Sequence, residues 1–226
     1  MTGPYKMICA SIVESSIDKA VEAANSASSD LVEVRLDYLK AYGGLERLGG
    51  IKKPAVATCM PVWEGGRFKG SEKQRMRVLS EASSFSDYVS IELRTDNSPR
   101  SALIKRAQEK GVKVIVAYHD FEKTPAPGEI KKILVKEERT GADVGKIAFL
   151  AQDYGDVLRT MQVLLDKDRR MPVIALSMGD AGRVSRILGP LLGSYMTFAS
   201  PSKGKEAAPG QLTVDELKKV LSIVGK

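Results

Sequence analysis

The chain has 226 residues, of which 43% are hydrophobic and 28% charged, with a formal net charge of +7. This composition is typical of a globular protein, and no run approaches the roughly 20 apolar residues that a membrane span needs. The basic residues are spread along the chain without local runs, and only 6% of residues are aromatic. Nucleic-acid binding is therefore disfavoured, and a small anionic substrate suits the diffuse positive charge better.

The cysteines and the amino terminus predict the compartment. Cys9 and Cys59 fall in the predicted first and third strands, which lie about 10 Å apart in a parallel sheet, beyond disulfide reach. We therefore expect free thiols in a reducing compartment. The first residues lack the charged start and apolar stretch of a signal peptide, so the protein is expected to be cytoplasmic and not bound to a membrane.

Short apolar strands alternate with amphipathic helices along the whole chain. Strands are predicted over residues 7–12, 31–35, 55–58, 88–93, 113–118, 141–150, 172–176 and 195–199. Helices are predicted over 17–25 (capped by Ser16), weakly near 45 up to 49–50, and over 72–84 (capped by Ser71), 128–139, 154–166, 181–188 and 213–223. A further helix is predicted with Pro99 in its first turn and its end at Gly111.

Eight strands, each followed by a helix, predict a single-domain (β/α)8 TIM barrel over residues 1–226. The alternative is an open doubly wound sheet. It is disfavoured because the first strand leads into Val13-Glu14-Ser15-Ser16, without the glycine-rich turn that binds dinucleotides.

One lysine interrupts the apolar strand at 141–150. Side chains alternate along a strand, so Val144, Lys146 and Ala148 share a face, and neither neighbour on that face is acidic. A desolvated lysine tends to lose its proton, and the neutral amine attacks carbonyls to form a Schiff base. A lysine whose stem packs while its ammonium reaches solvent would explain the same segment.

Polar residues recur at the carboxyl ends of the predicted strands, where barrel active sites are built. A lone histidine or an alternating Glu and Arg usually has a structural role, but structural use has no reason to favour one end of the barrel. The residues that converge there are Glu33, Arg35, Asp37, Glu64, Glu92, Arg94, His119, Lys146, Arg186 and Gln211.

Imine catalysis fits these residue types. Lys146 supplies the amine, and His119, the only histidine, can accept and return a proton near neutral pH. Glu64 or Glu92 can hold the imidazole tautomer, and arginine can bind a carboxylate through two hydrogen bonds. The spacing of His, Cys and carboxylates provides no metal site, and no phosphate loop or nicotinamide fingerprint is present, so no cofactor is expected.

Seven short motifs occur in the order found in one known family. The chain resembles type I 3-dehydroquinate dehydratase, which dehydrates 3-dehydroquinate to 3-dehydroshikimate in the shikimate pathway of aromatic amino acid biosynthesis. The matching motifs are Glu33-Val34-Arg35-Leu36-Asp37, Glu64-Gly65-Gly66, Tyr118-His119-Asp120-Phe121, Gly145-Lys146-Ile147-Ala148, Ser177-Met178-Gly179 with Ser185-Arg186, Phe198-Ala199-Ser200, and Ala208-Pro209-Gly210-Gln211.

The resemblance implies a role for each matching side chain. Lys146 would form the Schiff base, and His119, oriented by Glu64, would be the general acid and base. It also implies a homodimer that uses neither metal nor organic cofactor. The residues implied to contact substrate are Glu33, Arg35 and Gln211 at the ring hydroxyls, Arg186 at the carboxylate, Met178 against the ring, and Ser11, Ala207 and Ala208 around them.

Two positions depart from the family pattern. Met60 stands where family members often have arginine, and Ala207 stands where many have serine. A barrel aldolase would also use a lysine on the sixth strand, and incubation with aldol substrates would separate the two activities. A nucleic-acid-binding protein would show a salt-dependent gel shift.

Overall fold

A computed structural model describes residues 7–166 and 168–224. Within these residues eight parallel strands form one sheet in the order β7-β6-β5-β4-β3-β2-β1-β8. Their bounds are β1 Met7–Ile12, β2 Leu31–Arg35, β3 Ala55–Thr58, β4 Tyr88–Glu92, β5 Lys113–Asp120, β6 Val144–Leu150, β7 Val173–Met178 and β8 Met196–Ala199.

The two edge strands of this order meet. The backbone N–H of Tyr195, next to β8, donates a hydrogen bond to the carbonyl of Val173 in β7 at 2.9 Å. The sheet is therefore a nearly closed barrel, and the predicted (β/α)8 TIM barrel is confirmed.

Helices on the outside of the barrel connect the strands. After β2 the chain forms two short 3₁₀ helices, Leu36–Tyr38 and Leu45–Gly50, where the sequence predicts a weak helix. The α-helices are α1 Ile17–Ser26, α2 Glu72–Ala82, α3 Asn97–Glu109, α4 Pro127–Arg139, α5 Tyr154–Gln162, α6 Gly179–Gly182, α7 Ser185–Leu192 and α8 Val214–Val224, with further 3₁₀ turns at Val62–Glu64, Ser83–Phe85 and Val163–Leu165.

Side-chain caps fix where several helices begin. The Ser16 hydroxyl accepts from the N–H of Lys19 at the start of α1, as predicted. Ser71 caps α2 in a capping box, in which Gln74 in turn accepts from the N–H of Ser71. Such a pair satisfies two of the N–H groups that a helix start leaves free.

Two strands are longer than the sequence predicts. β5 continues past residue 118 through His119 and Asp120, and β7 continues past residue 176 through Ser177 and Met178. The apolar runs end earlier, but the backbone still pairs with β6, with His119 opposite Ala148. Polar side chains that face a pocket do not end a strand, because pairing depends on the backbone.

The helix after β7 also differs from the prediction of one helix over 181–188. The structure divides it into α6 and α7, and α7 includes Pro190. Proline has no N–H, so the carbonyl of Arg186 lacks its helical partner and instead accepts from the hydroxyl of Thr197 at 3.1 Å. The helix ends at Gly193, whose φ of 108° lies in the left-handed region that favours glycine.

Alternation along the strands divides the core into two layers. In β6, Val144 and Ala148 pack inside the barrel, whereas Ile147 and Phe149 pack against the helices. Lys146 shares the inner face, as predicted, and therefore points into the barrel. The two cysteines are free and buried, as predicted.

Glu137 of α4 is buried among apolar side chains of the outer layer. A Cβ added at Gly145 would lie 2.6 Å from its Oε2, so the carboxyl touches β6. Neither carboxyl oxygen has a hydrogen-bond partner within the part of the chain that the structure describes. Burial raises the pKa of Glu137 well above its ordinary value, and the nearby N–H of Lys146, outside hydrogen-bond geometry, opposes this only in part.

We expect Glu137→Gln to reduce the loss of stability as pH rises. Since the pKa of Glu137 is higher in the folded state, its contribution is full below the unfolded pKa near about 4.3. It then declines by up to about 1.4 kcal/mol per pH unit until the folded pKa is reached. Urea unfolding from pH 5 to pH 8 measures this slope, with the exposed neighbour variant Glu138→Gln as control. If the free energy of unfolding of Glu137→Gln has the same slope against pH as that of the unmodified protein, the conclusion that the buried carboxyl of Glu137 is neutral is contradicted.

Candidate active site

The carboxyl ends of the strands open into one pocket at the mouth of the barrel. A larger groove between α4 and α5 lies on the outside and contains none of the predicted site residues. Glu64 lies behind His119, and the other predicted residues all line the pocket: Ser11, Glu33, Arg35, His119, Lys146, Met178, Arg186, Ala207, Ala208 and Gln211.

Lys146 extends from β6 into this pocket with its side chain 9% exposed. Its Nζ lies 3.9 Å from the ring centre of Phe198 and 3.8 Å from Oε1 of Glu33. Burial lowers the pKa of Lys146, and the carboxylate of Glu33 opposes that shift. The amine is thus both desolvated and held at a fixed place.

Glu33 links the lysine to the surrounding polar groups. The hydroxyls of Ser11 and Thr58 donate hydrogen bonds to its two oxygens at 2.9 and 3.0 Å. Gln211 extends the network by donating to the Ser11 hydroxyl at 3.3 Å. Burial alone would raise the pKa of Glu33, but the Lys146 cation and these hydroxyls hold it below its ordinary value. Glu33 is therefore an anion at neutral pH.

His119 on β5, the neighbour of β6, forms a second group with Glu64, which ends the 3₁₀ turn Val62–Glu64. Oε1 of Glu64 accepts the backbone N–H of His119 at 2.7 Å and lies 3.4 Å from its Nδ1. The ring of Phe121 stacks on the imidazole with 6.2 Å between centroids. Burial lowers the pKa of His119, while the hydrogen bond to Glu64 raises it. The imidazole is thus oriented by a carboxylate, as a general base requires.

Glu92 is not the group that orients the imidazole, so the structure selects Glu64 from the two alternatives. Glu92 instead forms an ion pair with Arg75, whose guanidinium is fully buried. Arg75 also donates to the Thr95 hydroxyl at 2.7 Å and the Cys59 carbonyl at 3.1 Å. Burial raises the pKa of Glu92 to about 7 in spite of this cation.

Two further arginines differ in their partners. Arg35 binds Asp37 through two hydrogen bonds of 2.9 and 2.8 Å. Arg186 is 2% exposed and donates to the carbonyls of Gly210 and Phe198 at 2.9 and 3.1 Å. Among residues 7–166 and 168–224 no carboxylate pairs with Arg186, and burial lowers its pKa to about 10. A buried cation with this environment suits an anionic ligand.

The described residues contain no group of three His, Cys, Asp or Glu side chains arranged to hold a metal ion. None of the described helices is long and apolar enough to cross a membrane.

Comparison with known proteins gives the family. A sequence model described as type I 3-dehydroquinase matches residues 8–226. The 3-dehydroquinate dehydratase of Methanocaldococcus jannaschii is 37% identical over 219 residues, which cover 95% of this chain and 97% of the relative. The chain belongs to the type I 3-dehydroquinase family.

Two more relatives support the assignment to type I 3-dehydroquinases. The bifunctional chloroplastic 3-dehydroquinate dehydratase/shikimate dehydrogenase of Arabidopsis thaliana is 37% identical over 93% of this chain and 36% of its own length. A crystal structure of the type I enzyme from Clostridium difficile with covalently modified comenic acid is 28% identical. It superimposes with a TM-score of 0.87 over 97% of this chain and 92% of that one.

Met60 and Ala207, the two departures from the family pattern, both line the pocket. Arg67, the nearby basic residue, does not enter the pocket in this structure. Its side chain is exposed, and its guanidinium lies 4.1 Å from the ring centre of Tyr38. Arg186 therefore lines the pocket without Arg67 beside it.

Sequence reasoning missed two polar residues, Thr58 and Arg75, and the contact that a third, Arg94, makes. Thr58 could have been found as the last residue of the third strand, on the face shared with the pocket. Arg75 gave no signal, because an arginine on an amphipathic helix usually faces solvent. Arg94 was noted, but its contact with Glu64 joins two segments 30 residues apart.

Proposed function

We propose that this type I 3-dehydroquinase dehydrates 3-dehydroquinate to 3-dehydroshikimate through a Schiff base on Lys146, as a step of the shikimate pathway. One observation supports this most strongly. The amine of Lys146 on β6 and the imidazole of His119 on β5 enter the same pocket from neighbouring strands. In the pairing of these strands, His119 lies one inward-facing position beyond Lys146. The covalently modified ligand in the relative from Clostridium difficile is consistent with covalent chemistry in the family.

Lys146 begins the reaction as the nucleophile. Its neutral amine attacks the C3 ketone of the substrate, and loss of water gives the iminium. Burial lowers the pKa of Lys146, which increases the neutral fraction, while Glu33 holds the amine in place. The iminium withdraws electrons from C2 and makes its proton acidic.

His119 then moves protons. The neutral imidazole takes a proton from C2 to give an enamine, and the enamine expels the C1 hydroxyl, which leaves as water with a proton from the imidazolium. Water hydrolyses the conjugated iminium, releasing 3-dehydroshikimate and the amine of Lys146. Glu64 stabilises the imidazolium that forms between the two proton transfers.

The remaining side chains hold the ring. Arg186 binds the substrate carboxylate, since it is a buried cation that meets no carboxylate among the residues the structure describes. The ring hydroxyls contact Glu33, Arg35 and Gln211. Apolar contact with the ring comes from Met178, and the pocket wall is completed by Ser11, Ala207 and Ala208.

We also propose the domain organisation, the compartment and the oligomeric state of the enzyme. The barrel over residues 1–226 is one catalytic domain that acts in the cytoplasm as a homodimer. The match of the family model to residues 8–226 supports the single catalytic domain. Size-exclusion chromatography with light scattering measures the oligomeric state.

Sodium borohydride added together with 3-dehydroquinate should inactivate the enzyme and leave a reduced adduct on Lys146, because hydride converts the iminium to a stable secondary amine. Peptide mass spectrometry locates the adduct. Lys146→Met should show neither adduct nor turnover, whereas Lys105→Met, at a side chain that is 80% exposed, should retain both. An adduct on another lysine would contradict the assignment of the Schiff base to Lys146.

His119→Ala should slow turnover by about 10²- to 10⁴-fold, the usual range for a positioned acid and base, and should leave borohydride trapping intact. Formation of the conjugated enone, followed by its absorbance, measures turnover. Near-native turnover would show that another group moves the proton.

Arg186→Ala should raise KM for 3-dehydroquinate roughly tenfold to hundredfold, because a lost charged hydrogen bond costs about 1.5–3 kcal/mol. Arg67→Ala should leave KM near native, since Arg67 lies on Tyr38 outside the pocket. Met60→Arg should lower KM if a second guanidinium fits beside Arg186.

Arg186 also donates hydrogen bonds to backbone carbonyls, so its replacement removes these bonds as well. A substrate analogue without the carboxylate is the control for this structural effect. Its binding should weaken far less in Arg186→Ala than binding of the substrate does. Equal weakening of both ligands, or a native KM, would place the carboxylate elsewhere.

A further inference from the structure

Arg94 lies just beyond β4 and contacts both members of the His119–Glu64 pair. Its Nε donates to Oε2 of Glu64 at 2.6 Å, and its Nη2 donates to the backbone carbonyl of His119 at 3.1 Å. The Arg94 side chain is 43% exposed, whereas the Glu64 side chain is completely buried. Because Arg94 is partly exposed and hydrogen-bonded to Glu64, salt in the solvent can weaken its effect on a buried carboxylate.

The two oxygens of Glu64 are divided between two partners. Oε1 accepts the backbone N–H of His119 at 2.7 Å and faces its Nδ1 at 3.4 Å, a long contact. Oε2 accepts the shorter hydrogen bond from Arg94. The guanidinium therefore holds the carboxylate on the side away from the imidazole and offsets part of its negative charge.

Aromatic rings fix the guanidinium in this place. Its central carbon lies 5.1 Å from the ring centre of Tyr118 in β5 and 5.8 Å from that of Trp63. Trp63 belongs to the same 3₁₀ turn as Glu64. Arg94 thus joins the turn that carries the carboxylate to the strand that carries the imidazole.

The other charged groups near the imidazole come from three more strands. Lys146 on β6 and Arg35 on β2 both lower the pKa of His119, in addition to the larger effect of burial. Glu92 on β4 lines the pocket but is paired with Arg75. Glu64 is the acid that favours the imidazolium, so a group that binds Glu64 changes the proton affinity of His119.

We propose that Arg94 is a positioning residue that acts through Glu64 to keep the imidazole of His119 neutral and correctly oriented in the resting enzyme. Its importance for turnover rests on the proposed role of His119 as acid and base. Its effect on the imidazole does not depend on that role.

The sign of the effect follows from the charges. Without Arg94, the Glu64 carboxylate is free to move toward Nδ1, and its full charge stabilises the imidazolium. Both changes raise the pKa of His119. Fewer molecules then carry the neutral base at slightly acid pH, so the acid limb of the kcat profile moves to higher pH.

The experiment uses the single histidine of the chain as its own reporter. The imidazole C–H signal of tag-free protein is titrated by NMR in the unmodified enzyme, Arg94→Gln, Arg94→Lys and Arg183→Gln. Arg183 is an exposed arginine near the same end of the barrel and controls for the loss of one positive charge.

The pKa of His119 should rise by roughly half a pH unit or more in Arg94→Gln at low salt. Arg94→Lys should recover most of the shift, and Arg183→Gln should show none. The difference between Arg94→Gln and the unmodified enzyme should shrink at about 0.5 M salt, because the arginine is partly exposed. The acid limb of kcat should move in parallel.

An unchanged His119 pKa in Arg94→Gln, or an equal rise in Arg183→Gln, would overturn the proposal. The same holds if Arg94→Lys behaves as Arg94→Gln does, because charge would then not be the cause. The titration involves no substrate, so it separates this proposal from the proposed function. If dehydration and borohydride trapping fail while the pKa of His119 shifts as expected, only the proposed function is refuted.

Discussion

The ammonium of Lys146 inside the barrel is the constraint on which the polar part of the structure depends. A buried ammonium costs several kcal/mol unless an anion compensates it, and Glu33 on β2 is that anion at 3.8 Å. Glu33 in turn requires donors, which Ser11 and Thr58 supply. Polar residues on β1, β2 and β3 thus form one network that compensates a single lysine on β6.

A second balance of charge surrounds His119. Glu64 is held by Arg94 and by the backbone of β5, and Glu92 is held by Arg75, so each buried carboxylate on this side has its own guanidinium. Arg186 is different, because its donors meet backbone carbonyls and it pairs with no carboxylate of the described residues. The pocket is therefore left with a positive end, which an anionic ring substrate would neutralise.

The barrel and the inward direction of Lys146 could be predicted from the sequence, because strand alternation and the repeated strand-helix pattern depend on local chemistry. The convergence of Glu33, His119 and Arg186 followed from the rule that barrel sites form at the carboxyl ends of strands.

Other features could not be read from a single sequence. The ion pair of Arg75 with Glu92 and the buried Glu137 join helix positions to distant strands, and such positions look like ordinary solvent-facing charges. Pro190 predicts a helix end, but α7 continues because Thr197, on the next strand, satisfies the carbonyl that proline leaves without a partner.

The most direct test of the account is a crystal structure of the enzyme after borohydride reduction with 3-dehydroquinate. The account predicts continuous density from Nζ of Lys146 to the ring, with the carboxylate on Arg186 and the imidazole of His119 facing C2. A ligand bound without a covalent bond, or a ring whose carboxylate lies away from Arg186, would contradict it.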